Sequence, residues 1–97
     1  MKLPARVRLS RLPGPPGNAL QAQLRRLNPE HADLLARLSE LPSPDLACLV
    51  VIAGGKTVGY LLAEREGNAW RETLSLEPSW RGRGIEEALR EELHHLS

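Results

Sequence analysis

The chain has 97 residues, of which 41% are hydrophobic and 26% are charged, the balance of a folded globular protein and not of a disordered one. No apolar run approaches the ~18 residues that a membrane-spanning helix requires, and the N-terminus lacks the apolar segment of a signal peptide. The single Cys48 excludes an internal disulfide and a cysteine zinc cluster. We therefore expect one cytoplasmic domain over residues 1–97, with no membrane contact and no metal site.

Charge is distributed unevenly, although its formal sum is only +1. Residues 1–29 hold six basic side chains and no acidic one, whereas residues 30–97 hold seven basic and twelve acidic side chains. This asymmetry is compatible with an anionic partner, with self-association of unlike halves, or with ordinary solvated surface. The chain has few aromatic residues (3%) and no recognisable nucleic-acid-binding motif, so nucleic acid ranks last among the partners we consider.

The first part of the chain predicts one strand and two helices. Residues 5–12 alternate apolar and polar side chains, which is the pattern of a strand with one solvated face. A segment rich in proline and glycine ends this strand, and Asn18 is placed to cap a helix over about 19–27. The pair Asn28-Pro29 predicts the start of a second helix, which ends before Pro42.

The rest of the chain predicts an antiparallel meander of three strands and a final helix. Residues 46–53 are apolar throughout, as in a central strand covered on both faces. The pair Gly54-Gly55 is a hairpin signal, and residues 56–65 return as the next strand. Residues 69–76 form the third strand, and a helix with a clear apolar stripe occupies residues 85–96. The sequence therefore predicts an α/β fold, β-α-α-β-β-β-α, with a mostly antiparallel four-strand sheet flanked by helices.

The loop between the last strand and the last helix carries the strongest chemical signal. It reads Arg81-Gly82-Arg83-Gly84 and precedes a helix N-terminus, where backbone N–H groups lack helical partners and the helix dipole places partial positive charge. Glycines let the backbone approach an anion closely, and arginines add forked donors. The loop predicts a phosphate-binding site, although an exposed loop with flanking arginines has the same composition.

The residues around this loop resemble the acetyl-coenzyme A motif of the GNAT superfamily of N-acetyltransferases. In that motif a strand with alternating apolar residues leads through a proline and an aromatic residue to Arg/Gln-x-x-Gly-x-Gly/Ala and an Ala-Leu helix. The matching positions are Leu76, Pro78, Trp80, Arg81, Gly84, Ala88 and Leu89. The predicted order of elements also follows that of the superfamily, so the resemblance covers nearly the whole chain, although only residues 74–89 are specific.

The resemblance implies a coenzyme site and a reaction. The backbone around Leu74 and Leu76 would bind the pantetheine arm of acetyl-CoA. The pyrophosphate would be held by the side chains of Arg81 and Arg83 and by the N–H groups of Gly82, Arg83, Gly84, Ile85 and Glu86. The implied activity is transfer of the acetyl group to a deprotonated amine of a small molecule or peptide. The alternative is a non-catalytic GNAT-like module for dimerisation or protein interaction.

Two departures from the superfamily pattern bear on this function. Glu86 stands where the motif has a small residue, and its carboxylate is expected to compete with phosphate for the loop. Alternatively, Glu86 offsets the helix dipole and pairs with Arg90 one turn later. The sequence also stops after the motif helix, where superfamily members continue with a strand, a helix and a strand. We therefore expect a short or truncated member, whose site is incomplete or is completed by a second subunit of a homodimer.

Glu72 is the candidate general base. It shares the alternation phase of the apolar residues in its strand, so the pattern places a carboxylate on an otherwise apolar face. Such an acid can equally lie near a strand end or pair with an arginine. His94 and His95 occupy adjacent helical positions, which point in different directions and do not form a metal-binding pair.

Overall fold

A four-stranded antiparallel sheet forms the centre of the molecule, with helices on both of its faces. The structure is a computed structural model that describes residues 7–96, without the side chain of Leu96. The positions predicted to begin the first strand, Ala5 and Arg6, lie outside the described residues. The elements are β1 Val7–Arg11, α1 Asn18–Leu27, α2 Ala32–Leu35 between the 3₁₀ turns Pro29–His31 and Ala36–Glu40, β2 Leu46–Ala53, β3 Lys56–Glu66, β4 Ala69–Leu76, the 3₁₀ turn Pro78–Trp80, and α3 Ile85–Leu96.

The strands lie in the sheet in chain order, β1-β2-β3-β4, and every neighbouring pair is antiparallel. β2 is an inner strand, and all of its residues except the half-buried Ile52 are buried. Coverage on both faces explains why its sequence is apolar at every position. Gly54 and Gly55 join β2 to β3 with φ angles of 58° and 82°, the left-handed conformation that a two-residue hairpin requires. The predicted meander and the predicted fold class are confirmed.

Gly59 lets β3 and β4 approach each other closely. A register shift between Val51 and Ile52 leaves one extra residue in β3 just before this glycine. A Cβ added at Gly59 would lie 2.5 Å from the Leu76 Cδ1 and 2.8 Å from the Ser75 carbonyl oxygen. The carbonyl belongs to the backbone of β4, so it could move only if the strand moved with it. The absence of a side chain at Gly59 therefore sets the position of the end of β4, which leads into the predicted phosphate loop.

Two apolar layers hold the helices on the sheet. On one face, α3 inserts Ile85 and Leu89, both fully buried, among side chains from β2, β3 and β4. On the other face, Leu24 of α1 and Leu35 of α2 pack in a cluster that includes the fully buried Tyr60. Full burial of one leucine stabilises the folded state by roughly 1.5–3 kcal/mol. The α3 layer fixes the start of α3 relative to the end of β4.

The two predicted helices begin differently from each other. α1 begins at Asn18, because the first helical bond runs from the Gln21 N–H to the Gly17 carbonyl at 2.9 Å; the predicted side-chain cap by Asn18 is wrong. Asn28 does act as a cap, since its Oδ1 accepts the Glu30 N–H at 3.1 Å. The second helix has only four α-helical residues between 3₁₀ turns. A segment bounded by two prolines is too short to be independently stable, so packing of its leucines sets its shape.

Candidate functional site

The β4–α3 loop, residues 81–84, presents backbone N–H groups at the start of α3. Gly82 and Gly84 have φ angles of 75° and 83°, and no atom lies within 4 Å of the position that a Cβ would take at either residue. The first helical bond runs from the Ala88 N–H to the Gly84 carbonyl at 3.1 Å. The N–H groups of residues 85–87 therefore have no acceptor within the helix. Together with the helix dipole, they form an arrangement that can accept an anion.

Both arginines of the loop are held by contacts that leave their charge uncompensated. The Nε of Arg81 donates to the Leu76 carbonyl at 3.0 Å, which draws this side chain back towards the end of β4. The guanidinium carbon of Arg83 lies 5.2 Å from the centroid of the Trp80 ring, a cation–π contact. Neither arginine forms an ion pair with any residue in the described range 7–96. The loop therefore carries two cationic groups that an anionic ligand can use.

Glu86 turns its carboxylate towards the loop. Its Oε2 accepts a hydrogen bond from the Gly82 N–H at 3.4 Å. The expected pairing of Glu86 with Arg90 is wrong, because the Nε of Arg90 donates to the Glu72 Oε1 at 3.3 Å, across to β4. A carboxylate of the chain itself thus lies on one of the N–H groups that a diphosphate would use.

The outer edge of β4 exposes backbone hydrogen-bonding groups, since no strand of residues 7–96 lies beyond it. The Glu77 N–H donates to the Val58 carbonyl at 2.9 Å, which makes these two residues a hydrogen-bonded pair. Hydrogen-bonded and non-hydrogen-bonded pairs alternate along antiparallel strands, so Leu74 and Leu76 form non-hydrogen-bonded pairs with β3. Their N–H and C=O groups therefore point away from the sheet, and of these the Leu76 carbonyl accepts the bond from Arg81.

Glu72 lies farther along the same edge of β4. It is the register partner of Ala63, it is exposed, and Arg90 of α3 holds its Oε1. At ~3.3 Å per residue, Glu72 lies roughly 13 Å from Leu76 along the strand. The structure thus aligns the loop, the open backbone of β4 and the Glu72 carboxylate along one side of the molecule. The role of Glu72 as a general base stays a prediction.

On the opposite face of the sheet, the side chains of Asn28, His31 and Tyr60 form a polar cluster that the sequence did not indicate. The Nδ1 of His31 lies 2.7 Å from the Tyr60 hydroxyl oxygen. The Nδ2 of Asn28 lies 3.4 Å from the His31 Nε2, while the Oδ1 of the same amide accepts the Glu30 N–H. Burial raises the pKa of Tyr60 to about 12, against the opposing effect of a hydrogen bond from Ser75. Tyr60 therefore stays protonated at neutral pH and ties the helical layer to the sheet.

A cleft of about 500 Å³ opens beside the loop, and we call it the basic cleft. It forms where the end of α1, the first residues of β3 and the turn after β4 meet. Its cationic side chains are Arg26, Lys56 and Arg81, and its one carboxylate is that of Glu77. Each segment contributes only a few residues, and no local motif marks them. The sequence therefore gives no indication of the basic cleft.

Residues 7–96 contain no candidate metal cluster, no reactive thiol and no membrane-spanning helix. Between residues 7 and 96, no group of three or more His, Cys, Asp or Glu side chains is arranged to hold a metal ion. Cys48 is fully buried in β2, and this burial raises the pKa of its thiol to about 12, so the thiol is neutral and unreactive at physiological pH. No helix in the same range is both long and apolar enough to cross a membrane.

Comparisons with known proteins bear on the fold. No family model and no curated protein matches the sequence. The structure is similar to that of a protein assigned to the GNAT family of acetyltransferases from Desulfovibrio desulfuricans, with a TM-score of 0.69 and 17% identity, covering 93% of this chain and 65% of that one. It is also similar to an aminoglycoside acetyltransferase from an uncultured soil metagenomic sample, with a TM-score of 0.65 and 23% identity, covering 93% of this chain and 70% of that one.

These likenesses concern the backbone and not the residues of a site, because the sequence identities are low. The chain spans about two thirds of the length of each neighbour, 65% and 70% respectively. The four-stranded antiparallel sheet, the helices on both faces and the order of elements all correspond to the predicted β-α-α-β-β-β-α fold. We conclude that the chain has the GNAT fold.

Proposed function

We propose that the chain binds acetyl-coenzyme A and transfers its acetyl group to an amine. The observation that carries this proposal is the convergence, at one helix start, of left-handed glycines, N–H groups without helical acceptors, and two arginines without ion pairs in the range 7–96. A diphosphate fits such a site, because its oxygens accept N–H hydrogen bonds and the helix dipole and guanidinium groups offset its charge. The acetyltransferase neighbours support the same general activity.

The open edge of β4 determines the orientation of the proposed coenzyme along the strand. With the diphosphate at residues 81–86, the pantetheine arm would lie along the outward-facing backbone groups of Leu76 and Leu74. The Leu76 carbonyl already accepts a hydrogen bond from Arg81, so the Leu76 N–H and both groups of Leu74 are the ones left for the arm. The thioester end would then point along β4 towards Glu72.

Glu72 is the residue that we assign to accept the proton of the attacking amine. When bound, the thioester supplies an electrophilic carbonyl carbon, to which the amine nitrogen bonds as the carbon–sulfur bond breaks and a thiolate leaves. Arg90 engages the Oε1 of Glu72 at 3.3 Å and orients the carboxylate, so Oε2 is the oxygen that would take the proton. Glu72→Gln keeps the side-chain shape but removes the base. It is expected to leave coenzyme affinity unchanged while slowing acetyl transfer roughly 10²- to 10⁴-fold.

The proposed function is tested by titrating the chain with coenzyme A. Calorimetry measures the heat of binding, and the melting temperature of the chain is measured at each coenzyme concentration. A ligand that binds only the folded chain must raise the melting temperature, and about 2.7 kcal/mol of stabilisation is expected at 100 times the Kd. Adenosine, which lacks the diphosphate, is the ligand control. Arg83→Gln is expected to weaken binding, whereas Arg25→Gln, an exposed arginine on α1, is the matched control. No shift in millimolar coenzyme A, or equal affinity in both variants, refutes the proposal.

A second candidate function, a non-catalytic GNAT-like module that dimerises or binds a protein, is favoured by the open edge of β4. A strand edge with outward-facing N–H and C=O groups can pair with a strand of another chain. Strand pairing of this kind would use the outward-facing groups of Leu74 and Leu76 that the proposed pantetheine arm requires, so it competes with coenzyme binding. Light scattering at micromolar concentration decides the point: a stable dimer that coenzyme A does not stabilise supports the module, and a monomer excludes the homodimer.

A further inference from the structure

The basic cleft lies at the end of β4 that is farther from Glu72. Its lining includes Leu76, Glu77 and Pro78, through which the chain leaves the sheet, and Arg81, the first residue of the loop. The proposed pantetheine arm runs from the loop along β4 towards Glu72, and so away from this end of the strand. The other end of the coenzyme, which is its nucleotide, therefore lies at the loop end of β4, where the basic cleft opens.

The nucleotide end of coenzyme A carries a further phosphate group besides the diphosphate. This group is a phosphate monoester on the 3′ position of the ribose, and only that ribose separates it from the diphosphate. A phosphate monoester has a charge of about −1.5 to −2 at pH 7 and three acceptor oxygens. Because the β4–α3 loop serves the diphosphate, the 3′-phosphate needs cations from another part of the chain that lies within one sugar of the loop.

The basic cleft supplies such cations from two segments that are distant in sequence from the loop. Arg26 lies in the last turn of α1, and Lys56 begins β3. The Lys56 Nζ and the Glu77 Oε2 lie 3.5 Å apart, so these two charges offset each other. Arg26 forms no ion pair within residues 7–96, a range that contains every Asp and Glu of the chain. Its full charge outweighs the partial negative charge of about one half at the end of α1, so the cleft keeps a net positive charge.

The size and the layering of the basic cleft suit a sugar phosphate. Its volume of about 500 Å³ lies within the range of ligand pockets, roughly 300–1,000 Å³. The buried Leu76 and the half-buried Leu27 supply apolar surface, and the exposed Arg26 and Lys56 stand at the rim. Arg81 lines the same cleft, and its Nε is fixed on the Leu76 carbonyl at 3.0 Å, so this side chain joins the cleft to the loop. An apolar floor below charged side chains can hold the ribose and leave its phosphate at the rim.

We propose that the basic cleft binds the 3′-phosphate of coenzyme A. This inference rests on the proposed coenzyme binding and deepens it, because it makes the chain selective for a coenzyme that carries this phosphate. Arg26 would donate a forked pair of charge-assisted hydrogen bonds to the phosphate oxygens, with Arg81 on the side of the diphosphate. Lys56 would add a third cation, whose charge the carboxylate of Glu77 partly cancels.

Dephospho-coenzyme A, which lacks only the 3′-phosphate, is the matched ligand for the test. The Kd of each coenzyme is measured by isothermal titration calorimetry at low ionic strength, where charge effects are screened least. Dephospho-coenzyme A is expected to bind about tenfold more weakly. One pair of unit charges about 4 Å apart in water is worth about fivefold in Kd, and the monoester carries more than one charge. Equal Kd values for the two coenzymes overturn the proposal.

Three single substitutions assign the effect to named side chains. Arg26→Gln is expected to weaken the binding of coenzyme A about fivefold and to change that of dephospho-coenzyme A by less than about twofold. Arg25→Gln makes the same charge change one residue earlier, outside the cleft, and is expected to change neither Kd. Glu77→Gln removes the only carboxylate of the cleft and releases Lys56, so it is expected to strengthen the binding of coenzyme A by a similar factor. Equal effects of Arg26→Gln on the two coenzymes, or equal effects of Arg26→Gln and Arg25→Gln, contradict the assignment.

The two coenzymes also separate this inference from the function on which it rests. If both coenzymes bind with the same Kd, only the inference fails and the proposed function stands. If neither coenzyme binds, the proposed function fails and the inference fails with it. If dephospho-coenzyme A binds more weakly but Arg26→Gln leaves the difference unchanged, another part of the chain holds the 3′-phosphate and the proposal is wrong. NMR shifts of the Arg26, Thr57 and Glu77 amides that appear with coenzyme A and not with dephospho-coenzyme A support the proposal directly.

Discussion

Replacing Glu86 by glutamine is expected to strengthen the binding of coenzyme A about fivefold. The Glu86 carboxylate lies 3.4 Å from the Gly82 nitrogen, so a bound diphosphate must displace it and then remain near its charge. Two like unit charges about 4 Å apart in water repel each other by about 1 kcal/mol, which corresponds to roughly a fivefold change in Kd. Glutamine removes this repulsion but keeps an oxygen that can accept from Gly82. Alanine also removes the competing hydrogen bond, which adds about 0.5 kcal/mol and brings the gain to roughly tenfold.

Isothermal titration calorimetry at two salt concentrations measures this effect. The gain in affinity for Glu86→Gln should shrink as salt rises, because the Debye length falls from about 10 Å at 0.1 M to about 3 Å at 1 M. Glu87→Gln is the control, since it makes the same charge change at the next, exposed position of α3. It is expected to change the Kd less than twofold. Equal gains in the two variants would show that only net charge matters, and weaker binding in Glu86→Gln would refute the competition argument.

Three further predictions concern the stability of the fold. Gly59→Ala is expected to destabilise the chain by about 1–3 kcal/mol in denaturant unfolding, because the new Cβ would clash with the backbone of β4. Gly14→Ala is the control, and it is expected to change stability little because open space surrounds Gly14. Leu89→Ala is expected to lower the free energy of unfolding by about 2–5 kcal/mol in the same assay, since the Leu89 side chain is fully buried between α3 and the sheet. Tyr60 is the only tyrosine, so tyrosinate absorbance reports its ionisation alone; the midpoint should lie near pH 12 in the folded chain and near the ordinary value of 10 in urea. Because burial raises this pKa, the associated stability is present below pH 10 and is lost as the pH rises through 12.

The strands of this fold were predictable because their signals are local. The uninterrupted apolar run of β2 and the Gly54-Gly55 pair depend on neighbouring residues, and the structure has both the inner strand and the hairpin where the sequence indicated them. The segment between α1 and β2 was less predictable. Its leucines have helical spacing, but their packing on the sheet, and not intrinsic helix stability, decides how much of the segment is α-helix.

The candidate site was predictable only where its residues are contiguous. The β4–α3 loop combines neighbouring arginines and glycines with a helix start, and the structure shows the left-handed glycines that this composition favours. The partner of Glu72 was not predictable, because the contact with Arg90 depends on how α3 docks against β4. The basic cleft depends on the approach of α1 to the β2–β3 hairpin, a long-range arrangement that no spacing in the sequence encodes.

The stacking of Arg83 on Trp80 gives the molecule an optical reporter of its own. A ligand that recruits the Arg83 guanidinium draws a cation away from the face of this indole, and its fluorescence changes in response. The guanidinium carbon of Arg65 lies 4.8 Å from the ring centroid of Trp70, near the opposite end of β4, so the emission of Trp70 is a background that does not report on the loop. In a Trp70→Phe variant, occupancy of the loop can therefore be followed in real time without attaching a dye.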